Sequence, residues 1–71
     1  MNPADEMIMW TRHALHNRRM FWFRRQWVRE HYRPRENAAE CRHHREHGWA
    51  AIRRARQARA RITQAAERIA A

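Results

Sequence analysis

Lysine and serine are absent from the 71 residues, glycine and cysteine occur once each, and proline occurs twice. Each shortage excludes something. Thr11, Thr63 and Tyr32 are the only hydroxyl side chains, so there is no serine nucleophile elbow, and a single glycine cannot build a phosphate-cradling loop. A lone Cys41 rules out an internal disulfide and fits a reducing compartment. No run approaches the roughly eighteen apolar residues of a membrane span. The start "MNPADEM" lacks the positive region and apolar core of a secretory signal, so a cytoplasmic protein is expected. A chain this short also offers little enclosed volume for shifting pKa values or excluding water, so neither catalysis nor a cofactor is expected.

Bulky aliphatic residues are scarce as well. Only eight residues are Leu, Ile, Val or Phe, while thirteen are alanine. With a net charge of +9, that composition leans toward chains that do not fold alone. Four Trp, four Met and one Tyr pull the other way, because aromatic side chains bury large areas. The resulting expectation is folding coupled to dimerisation or to docking on a larger partner.

What the chain has in abundance is arginine, which supplies all sixteen basic residues. A GC-rich genome would produce this without selection for chemistry. The functional alternative is that guanidinium binds phosphate and carboxylate bidentately and stacks on aromatic faces. A pI near 11.8 calls for an anionic partner: nucleic acid first, then anionic lipid or an acidic protein surface.

The few breakers punctuate an otherwise helical pattern. Asn2 is placed to cap a first helix, Pro3 suits its first position, and Asp5 and Glu6 favour the positive end of its dipole. The pattern then runs to about Tyr32. Pro34 biases Arg33 away from helical geometry, and Asn37 with Glu40 reads as a cap and capping box for a second helix. The predicted organisation is a single all-α domain, residues 1–71, with a helix over 3–32, a turn over 33–36 and a helix over 37–70. Gly48 either breaks the second helix or is carried within it at about 1 kcal/mol. "WAAI" follows at once with no capping residue, which favours a continuous helix. Read as a helix-turn-helix with Gly48 in the turn, the sequence puts His and Arg where small or apolar residues belong, so that motif is rejected.

On the second helix, Ile52, Ala55, Arg59, Ile62, Ala66 and Ile69 step by three and four as a heptad seam, and the steps continue backward through Gly48, Arg45 and Cys41. Ala51, Ala58 and Ala65 widen it. On the first helix, Met7, Trp10, Ala14, Phe21, Val28 and Tyr32 share one side with Ile8, Leu15 and Trp22 beside them. Met9, Met20, Phe23 and Trp27 form a second stripe. Two stripes predict a helix covered on both sides. The expected architecture is an antiparallel hairpin whose leftover stripe assembles a bundle or docks on a partner.

Three constellations could carry chemistry. "IRRARQARARI" displays Arg53, Arg54, Arg56 and Arg61 around the seam, with Arg42 and Arg45 upstream and no acid between Glu46 and Glu67. Charge runs often only keep a helix wet, but a solvated helix usually mixes Glu with Arg at i, i+4. Phosphates would relieve the one-signed repulsion, in RNA or DNA. In "CRHHREH", Cys41, His44 and His47 are zinc-competent residue types, yet no second Cys/His pair at finger spacing accompanies them, and no metal is expected. In "RMFWFRRQWVR" aromatics interleave with arginine; core or interface packing is favoured over membrane binding, because the apolar residues are split between two faces. The functional expectation is a non-enzymatic, arginine-rich nucleic-acid-binding protein acting as a homo-oligomer or complex subunit. The alternative is a protein-interaction subunit (an inhibitor, adaptor or structural component) that uses Met9, Met20, Phe23 and Trp27.

Overall fold

Asn2 adopts extended geometry and its Oδ1 accepts a 2.8 Å hydrogen bond from the Asp5 backbone N–H, so α1 (Pro3–Arg29) begins where its capping residues place it. The computed structural model describes all residues 1–71. It pairs α1 with α2 (Pro34–Ala70) in an antiparallel all-α hairpin measuring 58 × 16 × 14 Å.

The turn departs from expectation at both ends. α1 stops at Arg29, short of Tyr32, because the chain enters a Schellman closure. The His31 N–H donates to Val28 C=O at 3.1 Å and the Tyr32 N–H donates to Trp27 C=O at 2.9 Å. His31, with φ 56°, occupies the left-handed position that glycine usually fills. The Tyr32 ring lies 5.3 Å from that of Trp27, which supplies the apolar contact of the motif. Arg33 is also left-handed, φ 41°, and α2 starts directly at Pro34. Proline needs no N–H at the first helical position, so Pro34 takes the role assigned to Asn37. Asn37 is instead buried in the hairpin: its Nδ2 donates to Tyr32 C=O at 2.8 Å and its Oδ1 accepts from Arg24 at 3.2 Å. Glu40 lies beyond the first turn and faces His44.

Gly48 sits inside an unbroken α2. A Cβ there would lie 3.4 Å from the Asn17 Cβ, at the limit of ordinary contact. The helices meet along two seams stepping by four and three. On α1 it runs Met7, Trp10, Ala14, Asn17, Phe21, Arg24, Val28; on α2 it runs Cys41, His44, Gly48, Ala51, Ala55, Ala58, Ile62. All are buried or half-buried. Cys41, Gly48, Ala55 and Ile62 hold their expected places in the α2 seam, while at the alternate positions His44, Ala51 and Ala58 lie deeper than the expected Arg45, Ile52 and Arg59. Ala51 and Ala58 are 2% and 0% exposed, whereas Arg45 and Arg59, expected in the seam, face solvent. The physical reason is twofold. An arginine at 45 or 59 turned inward would add a second buried charge to that of Arg24 with no acid to meet it, and alanine at 51 and 58 lets the two helices approach closely.

Polar groups interrupt the seam near the turn. Asn17 Nδ2 donates to His13 C=O at 2.9 Å, which leaves its Oδ1 to accept from His44 Nδ1 at 2.9 Å. The Cys41 thiol donates to Phe21 C=O at 3.6 Å. At the open end, Arg61 pairs with Glu6 and Arg54 lies 4.5 Å over the Trp10 ring.

Candidate nucleic-acid interface

The six arginines singled out from the sequence fall into two groups once α1 is packed against α2. Arg54 and Arg61 flank the seam and are engaged within the chain: Arg54 stacks on Trp10, and Arg61 forms its ion pair with Glu6. Arg42, Arg45, Arg53 and Arg56 lie on the outer face of α2, all exposed. The ion pairs of the molecule are Arg33–Glu36 and Arg61–Glu6, and Glu40 lies 3.5 Å from the His44 ring, so none of these four meets an acid. The arginine hydrogen bonds between side chains come from Arg24 and Arg61 alone. Arg59, freed from the seam, adds a further exposed cation beside them.

Trp49 stands in the middle of this group. Arg45 and Arg53 are four residues away on either side, and Arg42 and Arg56 are seven away, so one helix face carries them all. From Arg42 to Arg56 the face runs about 21 Å at 1.5 Å per residue. Sequence reading missed Trp49 as part of the face; its spacing to the arginines was the available signal.

The outer face of α1 is a second exposed surface. Ile8, Leu15 and Trp22, seven residues apart, are 46%, 49% and 54% exposed, with Phe23 alongside. They were expected beside the inward stripe, but the seam turns them to solvent. Shallow depressions separate them, one edged by Met9, Arg12 and His16 and another by Arg18 and Arg19. Of the predicted interface residues, Phe23 is exposed, while Met9, Met20 and Trp27 are half-buried along the seam's flank. Trp27 packs between Phe23 and Tyr32, with ring centroids 4.5 and 5.3 Å away, and so belongs to the turn's support.

Four of the six histidines, His16, His43, His44 and His47, cluster together. His43 stacks on His47 at 4.2 Å, and His16 meets His44 edge-on at 6.4 Å. Cys41, His44 and His47 diverge as the helix turns, each to a different neighbour: Phe21 C=O, Asn17 and the His43 ring. No group of three His, Cys, Asp or Glu side chains is arranged to hold a metal ion. Burial pushes the His44 pKa below its ordinary value of 6.5; His43, Arg24 and His16 act in the same direction, and Glu40 opposes them. No helix is long and apolar enough to cross a membrane. No family model, curated protein or solved structure matches the chain.

Proposed function

We propose that the protein binds nucleic acid through arginine–phosphate contacts made by the outer face of α2. The observation that carries this reading is the set of four exposed arginines, Arg42, Arg45, Arg53 and Arg56, none with an acid partner in the chain. Like charges on one helix repel, and a polyanion laid along the face relieves that repulsion while releasing its counterions. Contacts of this kind hold the phosphate backbone without reading sequence. The protein acts as a binding module, not an enzyme, in a cytoplasmic setting. The test is a salt series with RNA and duplex DNA, using protein purified free of nucleic acid. The plot of log affinity against log salt should flatten by about 2 to 3 in slope when Arg45, Arg53 and Arg56 become Gln. No binding of either polymer at low salt would end the proposal.

A second reading, as a protein-interaction subunit or homo-oligomer, is favoured by the exposed Ile8, Leu15, Trp22 and Phe23 on α1. Arg12, Arg18 and Arg19 lie between these residues, so a partner on this face would carry acidic groups. On that reading Trp22→Ala abolishes self-association or a co-purifying partner, with nucleic-acid affinity unchanged. Mass in solution before and after the substitution decides it.

A further inference from the structure

Three of the four tryptophans have an aromatic or cationic neighbour within the chain. Trp10 carries Arg54 and His13, Trp22 carries Phe21 and Arg25, and Trp27 carries Phe23, Tyr32 and Arg24. Trp49 makes no such stacking contact, and it is 53% exposed at the centre of the arginine face. Its neighbours one turn away are Arg45 and Arg53, the exposed Glu46 and the half-buried Ile52, so the apolar area is too small to seat the helix in a lipid interface. A half-exposed indole with guanidinium groups one turn away on either side instead resembles in layout the surfaces that track an unpaired strand, where cations follow the backbone and aromatics stack on bases.

Resting on the nucleic-acid reading above, we propose that Trp49 with Arg42, Arg45, Arg53 and Arg56 forms a binding face for single-stranded nucleic acid. Trp49 stacks on a base, and the arginines before and after it hold the flanking phosphates. A closed duplex offers Trp49 no partner, because each base face is already covered by its neighbours. The α2 helix is also backed by α1 along most of its length. Only its outer half could enter a major groove about 12 Å wide, which admits a single helix. An unpaired strand or loop requires no such insertion.

Binding of a fluorescein-labelled uridine 15-mer, and of a labelled duplex of the same length, measured by anisotropy at matched salt, tests this on the full chain. The single strand should bind more tightly than the duplex. Trp49→Ala should weaken single-strand binding about fivefold or more, the low end of one base–aromatic stack, with the salt slope unchanged. Trp49→Phe should restore most of the loss. Helicity measured by circular dichroism should be equal in all three proteins, since the side chain is exposed. Tighter duplex binding, or a Trp49→Ala variant within twofold of the parent, overturns the single-strand proposal and leaves phosphate binding standing. Absence of binding to both polymers at low salt overturns both.

Discussion

His31 and Arg33 hold left-handed backbone geometry without being glycine, a conformation that costs a side-chain-bearing residue about 1–2 kcal/mol. His31 is the clearer target, because its N–H and that of Tyr32 already make the closure bonds that glycine favours. His31→Gly should stabilise the hairpin by about 1 kcal/mol and raise the thermal midpoint by about 4–8 °C, read by circular dichroism. His44 gives the pH dependence. Its lowered pKa means the folded chain binds that proton less tightly than the unfolded chain. Its contribution is therefore complete above the ordinary value of 6.5 and is lost as pH falls from there through the folded pKa. The groups facing it are His16 and Arg24 from α1, and Glu40 and His43 from α2. Midpoints measured between pH 7.5 and 5 should fall, and His44→Gln should lessen the fall; an unchanged profile in the variant would refute the role of His44. Asn37 illustrates what residue-level reading misses. Its place before a helical pattern signals a cap, whereas its bonds to Arg24 and Tyr32 form only once the two helices meet.

At the level of the element, Gly48 carries the next prediction. It lies inside α2, and a methyl group there meets the Asn17 Cβ at 3.4 Å. Gly48→Ala should therefore gain helix propensity, up to about 1 kcal/mol, without a clash. Gly48→Leu should overpack the seam and cost about 1–3 kcal/mol, and urea denaturation separates the two. The continuity of α2 was legible in the absence of any capping residue after Gly48. The three-four stepping of the seam was legible too, with Ala51 and Ala58 along its edge, but which residue of each adjacent pair lies deepest was not. Ala51 and Ile52, or Ala58 and Arg59, are adjacent, and only the bulk of the facing helix decides which turns inward. The arginine block was visible from composition and spacing. Its division into engaged and unengaged members depends on Glu6 and Trp10, which lie far away in sequence.

The whole molecule exposes 6047 Å², against about 4,800 Å² expected for a compact monomer of 8.8 kDa. Its buried apolar residues are two alanines, and Trp10 Nε1 and Arg24 Nε are buried without hydrogen-bond partners. Such a rod has little stability of its own and gains by mass action from anything that binds only the folded form. Thermal midpoints should therefore rise with added polyphosphate, and Arg45→Gln combined with Arg53→Gln and Arg56→Gln should reduce that rise. Equal rises in both proteins would place the polyanion elsewhere.

The fastenings of the hairpin are unevenly spread, and that sets an order in time. The Schellman closure, the Asn37 bonds, the Cys41 contact and the Asn17–His44 pair all lie toward the turn. Beyond the packing of Met7, Trp10, Ala58 and Ile62, the far end adds only an exposed ion pair, a class worth about 1 kcal/mol at most, and one stacked arginine. Residues 63–71 are exposed throughout. Amide deuterium uptake should thus begin at the tips and reach the turn last, so the hairpin opens like a peg sprung at its closed end. Arg53 and Arg56 lie on the half that parts first, while Arg42 and Arg45 stay on the half that remains clasped.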